Sequence, residues 1–90
     1  MVSVSTHDKL LRRFLREPSD FSYSELRRLL NHWGYREAKS GHSSGSRAAF
    51  IHDGSGHIIR LHRPHPTDVL KRYQVRLIIQ ELTDKGVIEP

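Results

Sequence analysis

The stretch Arg47-Ala48-Ala49-Phe50-Ile51-His52-Asp53-Gly54-Ser55-Gly56-His57-Ile58-Ile59-Arg60-Leu61-His62 decides the fold. Two strand-like runs, 47–52 and 57–61, flank Asp53-Gly54-Ser55-Gly56, which is a hairpin signal. A two- or four-residue loop centred on Gly54 and Ser55 pairs His52 with His57, and Arg47 with His62. Alternation then sends Ala48, Phe50, Ile59 and Leu61 to one face, which suits a core. Arg47, Ala49, Ile51, Ile58, Arg60 and His62 take the other face. A three-residue loop would break this parity.

Upstream of the hairpin, residues 35–40 read as a polar first strand at a sheet edge. Gly41-His42-Ser43-Ser44-Gly45 reads as a flexible loop. It lacks the lysine and the strand-to-helix setting of a nucleotide phosphate loop. Ser44 and Ser46 have no partners in a triad order, which argues against a serine hydrolase. Downstream, His62-Arg63-Pro64-His65-Pro66 is a proline-stiffened connector.

Helical periodicity brackets this sheet. Leu10, Leu11, Phe14 and Leu15 repeat at helical spacing before Pro18, predicting a first helix over about 6–16 behind a loose leader, 1–6. Its other face carries Lys9, Arg12, Arg13 and Arg16, a solvated face or a phosphate-contacting one. Ser22-Tyr23-Ser24-Glu25 is a capping-box pattern opening a second helix. Tyr23, Leu26, Leu30 and Trp33 form its apolar stripe, and Gly34 ends it. Trp33 on that stripe reads as core rather than as a base-stacking ring. A third helix starts within 68–71, with Asp68 near its positive end, and carries Val75, Ile78, Ile79 and Leu82 on one face. Gly86 ends it, and Val87-Ile88 return to the core. The expected order is α-α-β-β-β-α in a single α+β domain.

Ninety residues make one small domain with a thin core. A net charge of +5 with neutral histidines favours a polyanionic partner: nucleic acid, an acidic protein or an anionic surface. There is no cysteine, which excludes disulfides and thiolate metal sites and fits a cytoplasmic protein. The N-terminal residues hold no apolar signal core, and no apolar run approaches a membrane span. His62-x-x-His65, with His52 and His57 nearby, lacks the ligand set of a structural zinc site, so no metal and no cofactor is assigned.

From Ser22 onward the chain resembles the HicA-type toxins of bacterial type II toxin–antitoxin pairs. The resemblance rests on the helix ending in Gly34, the Gly45-Ser46 pair opening a strand, and the hairpin. It rests further on His65-Pro66 and the closing helix that ends in Gly86. It is closest to a divergent branch with Gly-Ser-Arg and His-Arg-Pro-His-Pro, present here as Gly45-Ser46-Arg47 and His62-Arg63-Pro64-His65-Pro66. It covers about 22–88, with the first helix as an addition. The resemblance implies a fold like the double-stranded-RNA-binding domain: a three-stranded antiparallel sheet packed on helices that lie on one face. It also implies ribosome-independent, metal-free cleavage of mRNA and a HicB-like antitoxin that blocks the RNA face.

Typical members carry Gly-Ser-His with that histidine catalytic, and the matching position here is Arg47. A guanidinium stays protonated, so it serves as a phosphate ligand or a transition-state clamp rather than as a general base. Hairpin parity sets His62 across from Arg47, where it can supply the missing imidazole. Arg47 and His62 are therefore the candidate catalytic pair. Gly45, Ser46, Arg47, Arg60, His62, Arg63, His65 and Lys71 are the candidate RNA-binding residues, with Arg72 beside Lys71. Two other readings remain open: an RNA-binding module that keeps the fold without the chemistry, and a protein-interaction domain whose basic face meets an acidic partner.

Overall fold

The computed structural model describes residues 5–38 and 47–89. The loop expected at 41–45 and the Gly45-Ser46 pair lie outside the described residues. Three helices and a three-stranded antiparallel sheet follow in the order expected.

The first helix, α1, is Thr6–Leu15, capped by Ser5, whose hydroxyl accepts from the Asp8 amide at 3.1 Å. It buries Leu10 and Phe14. Glu17 follows in the left-handed region, with φ 52, and turns the chain into Pro18. The Glu17 carbonyl accepts from Arg72 Nε, and its carboxylate from Arg76 Nε, both at 3.0 Å. The helix α2, Tyr23–His32, opens with the capping box: Ser22 Oγ accepts from the Glu25 amide at 3.0 Å, and Glu25 Oε1 from the Ser22 amide at 2.9 Å. Tyr23, Leu26, Leu29 and Leu30 are buried. Trp33, expected in the core, is only half-buried, because it falls at the C-terminal cap where the stripe runs off the helix. Its ring meets His7 edge-on, with 5.3 Å between centroids, and His7 stacks on His32. Gly34 then takes φ 94 so that the chain can double back, and a Cβ there would lie 3.3 Å from His52 Nε2.

The strand β1 is Tyr35–Glu37, shorter than the expected 35–40. Ala38 still donates to the Ala49 carbonyl at 2.8 Å. The strands β2, Arg47–His52, and β3, Ile58–His62, have the register that alternation predicts: Arg47 faces His62, Ala48 faces Leu61, and Phe50 faces Ile59. The His52 amide donates to the His57 carbonyl at 2.9 Å, so the turn is the four-residue Asp53-Gly54-Ser55-Gly56. Strand order β1-β2-β3 leaves β3 as an open edge.

The helix α3 is Arg72–Asp84, starting later than 68–71. The intervening residues are held extended against the entry to α2. The Tyr23 amide donates to the Asp68 carbonyl at 2.7 Å, and the Leu70 amide to the Phe21 carbonyl at 2.8 Å. The Asp68 carboxylate accepts from the Ser24 amide at 3.3 Å and from its hydroxyl at 2.8 Å. Asp68 therefore serves the positive end of α2, not that of α3 as the sequence suggested. Beyond Gly86 the amides of Val87 and Ile88 donate to the Leu82 carbonyl, and Ile88 returns to the core.

One apolar cluster fills the space between helices and sheet. Phe14, Phe21, Leu26, Phe50, Ile59, Val75 and Leu82 are fully enclosed there. No polar or charged side chain is buried among the described residues. The helices therefore cover one face of the sheet. The other face, with Arg36, Arg47, Arg60 and His62, is open to solvent.

Candidate functional site

Hairpin register builds the centre of the site. Arg47 begins β2 and His62 ends β3, and the two are direct cross-strand partners. Directly opposed residues on one face have Cβ atoms about 5 Å apart, so a guanidinium and an imidazole can meet the same ligand atom. Arg60 lies two positions before His62 on the same exposed face. The end of β3 is tied to α3 by Gln74, whose Nε2 donates to the His62 carbonyl at 3.0 Å. The Gln74 side chain also accepts from the Lys71 amide at 3.0 Å, which fixes the start of the helix.

At this junction lies a groove of about 800 Å³, lined by His62, Arg63, His65, Lys71, Arg72 and Tyr73 among others. The connector 63–67 forms one wall and the first turn of α3 the other. Of these cations, Arg72 is partly committed to the Glu17 carbonyl. Lys71, His62 and His65 have no ion pair among the described residues. A second groove, of about 330 Å³, runs between β3 and α3, where Arg60, His62, Tyr73 and Leu77 meet. The two grooves share the wall made by His62, Tyr73 and Gln74. Converging cations around an open concavity suit a phosphodiester chain.

Arg63 stands on the border of a different cluster. Glu37, at the end of β1, accepts from the Tyr23 hydroxyl, from Arg27 Nε at 3.1 Å and from Arg63 at 3.2 Å. Both guanidinium groups lie over the Tyr23 ring, at 5.1 Å for Arg27 and 5.8 Å for Arg63. Burial alone would push the Glu37 carboxyl up. The Tyr23 hydrogen bond and the two guanidinium groups outweigh it and hold the carboxyl below its ordinary range. The Tyr23 hydroxyl is pushed up to about 12 by burial and by the neighbouring carboxylate. Arg63 therefore lines the groove with one side already neutralised.

The structure thus brings Arg47, Arg60 and His62 onto one face, and His62, Arg63, His65 and Lys71 around one groove. Gly45 and Ser46 lie outside the described residues, immediately before Arg47. On α1, Arg13 is taken up by Asp20 at 2.9 Å and Glu25 at 3.1 Å, whereas Lys9, Arg12 and Arg16 are left to solvent. Two of the remaining histidines have local partners. His52 Nδ1 accepts from the Ser55 amide at 2.9 Å, and His57 bridges the Tyr35 hydroxyl and Glu81 at 2.7 and 3.3 Å. No group of three or more side chains suited to hold a metal occurs among the described residues. Tyr73 and Gln74 were not anticipated from the sequence. A signal for Tyr73 was present: with Leu77 it is a large apolar residue off the buried stripe of α3.

The family model described as HicA toxin of bacterial toxin-antitoxin matches residues 23–83, most of the chain. The chain belongs to the HicA toxin family. It is accordingly the toxin component of a bacterial toxin–antitoxin system, and its partner is an antitoxin. The match to HicA begins at Tyr23, so α1 lies outside it, and it ends within α3. It includes the hairpin, the connector and the groove. No curated protein and no solved structure matches this HicA chain. No helix among the described residues is long and apolar enough to cross a membrane.

Proposed function

We propose that this HicA toxin is an mRNA interferase that binds RNA along the open sheet face and the β3–α3 groove. One observation carries the reading: Arg47 is the direct cross-strand partner of His62, and His62 lines a groove rich in cations. The chemistry is transfer within the substrate. The ribose 2′-oxygen bonds to the adjacent phosphorus, the bond to the 5′-oxygen breaks, and a cyclic phosphate and a free 5′-hydroxyl result. His62 takes the proton from the 2′-hydroxyl. Arg47 holds the non-bridging oxygens as charge builds on them. His65, a second imidazole lining the same groove, gives a proton to the departing 5′-oxygen. Lys71 and Arg63 hold flanking phosphates. A HicB-like antitoxin neutralises the toxin by covering this face, and an mRNA target places the pair in the cytoplasm.

The test is a cleavage assay on long single-stranded RNA with EDTA present. His62→Ala is expected to lower the rate by about 10²–10⁴-fold, and Arg47→Ala by about 10²–10³-fold. Undiminished cleavage by His62→Ala would remove His62 from the mechanism. A second reading is favoured by the guanidinium at the position where typical relatives carry the catalytic histidine. In that reading the chain binds RNA and does not cut it. RNA binding with a steep salt dependence and no cleavage by the wild type would select it.

A further inference from the structure

Among the described residues, large apolar side chains exposed to water are few, and they are not scattered. Of Leu15, Val69, Tyr73 and Leu77, all but Leu15 border the two grooves. Tyr73 is 55% exposed and Leu77 is 60% exposed, although each belongs to a helix with a well-buried opposite face. They lie one turn apart on α3, so their side chains share one face. Tyr73 is the one large aromatic ring among the side chains shared by both grooves, with Lys71 and His65 lining one and Arg60 and Leu77 the other. An aromatic ring between cations is the pattern of single-strand binding: charge tracks the backbone, and the ring takes a base.

We infer that Tyr73 is a stacking platform for an unpaired nucleobase, seated in the smaller groove against Leu77 while its phosphate lies in the larger groove. The inference rests on the RNA-binding reading and sharpens it to single-stranded RNA. A ribose–phosphate unit can cross the shared His62–Tyr73 wall, which sets backbone and base on its two sides. A paired base would keep its face inside the duplex stack, out of reach of the ring. Tyr73 is then a positioning residue: it holds the nucleotide next to the phosphodiester that Arg47 and His62 address. An acidic segment of the antitoxin would satisfy the cations but gives no reason for a flat aromatic surface between them.

The experiment uses fluorescence anisotropy at low salt. One probe is a labelled 2′-O-methyl oligoadenylate, which lacks the attacking hydroxyl. The other is an abasic ribose–phosphate oligomer of equal length. Tyr73→Ala is expected to weaken oligoadenylate binding roughly tenfold, and Tyr73→Trp to retain it. Loss of the bases is expected to weaken wild type by a similar factor and Tyr73→Ala little, since the ring and the base are one interaction. Equal binding of oligoadenylate by wild type and Tyr73→Ala overturns the inference and leaves RNA binding standing. Equal losses by Tyr73→Ala on both probes also overturn it, because the ring would then act through the fold. Unchanged RNA binding with impaired capture of the cognate antitoxin assigns the ring to that partner instead and overturns it. Failure of wild type to bind either probe brings down the RNA-binding reading and this inference together.

Discussion

The Glu37 cluster and the β3–α3 groove are neighbours built from similar side chains, yet their charges are settled differently. In the cluster, two guanidinium groups and a tyrosine hydroxyl converge on one carboxylate. In the groove, Lys71 and two imidazoles face solvent with no carboxylate among the described residues to answer them. The first arrangement joins α2, β1 and the connector. The second leaves its attraction for anions unspent. Arg63 belongs to both and marks the border. A basic composition by itself does not tell these two uses apart. The distinction lies in whether an acidic residue shares the neighbourhood.

That contrast can be broken by experiment, beginning where the stability effect is largest. Glu37→Ala removes the acceptor from three donors at once and is expected to cost about 2 kcal/mol in urea unfolding. A loss no greater than that of a surface substitution would mean that the cluster does not hold the connector in place. Asp68→Ala removes the side chain that serves the Ser24 amide and hydroxyl, and should cost about 1 kcal/mol. Because Asp68 joins the connector to α2, its loss should also loosen the groove wall, seen as faster amide exchange at Val69 and Leu70.

The third effect depends on pH. The folded Glu37 and Glu25 carboxyls both lie below their ordinary range. Their contribution is therefore complete above the unfolded pKa and is lost as pH falls through the folded one. Stability should decline below about pH 4.5, and Glu37→Gln should flatten that decline. A steeper slope in the variant would reverse the sign of the argument. The smallest effect belongs to the groove. Lys71→Ala should change stability by no more than about 0.5 kcal/mol, while lowering the salt slope of RNA binding by about one. A marked loss of stability would show that Lys71 is part of the scaffold after all.

Local patterns were readable from the residues, and distant pairings were not. The register of β2 and β3 follows from a period of two and a four-residue turn, and the capping box from Ser22 and Glu25 three positions apart. Asp68 was assigned to the wrong helix because its true partner, Ser24, lies 44 positions away. Chain order alone favours the nearer helix start. The Glu37 cluster was invisible for the same reason: Tyr23 and Arg27 on α2, Glu37 on β1 and Arg63 in the connector come from three separate parts of the chain. Within the site, Arg47 opposite His62 could be worked out from alternation. The role of Gln74 in fastening α3 to the end of β3 could not, because it needs the distance between two elements.

Glu17 has a practical consequence for anyone who trims this chain to the part that matches its family. That residue occupies Arg72 through its carbonyl and Arg76 through its carboxylate. A shortened protein starting at Ser19 would set two positive side chains loose on the flank of α3. It would also uncover the apolar bed where Phe14 rests against Phe21. Such a fragment should cling to polyanions more readily than the intact toxin does. A gain in RNA affinity after truncation would then report an unmasked flank rather than a better binding site.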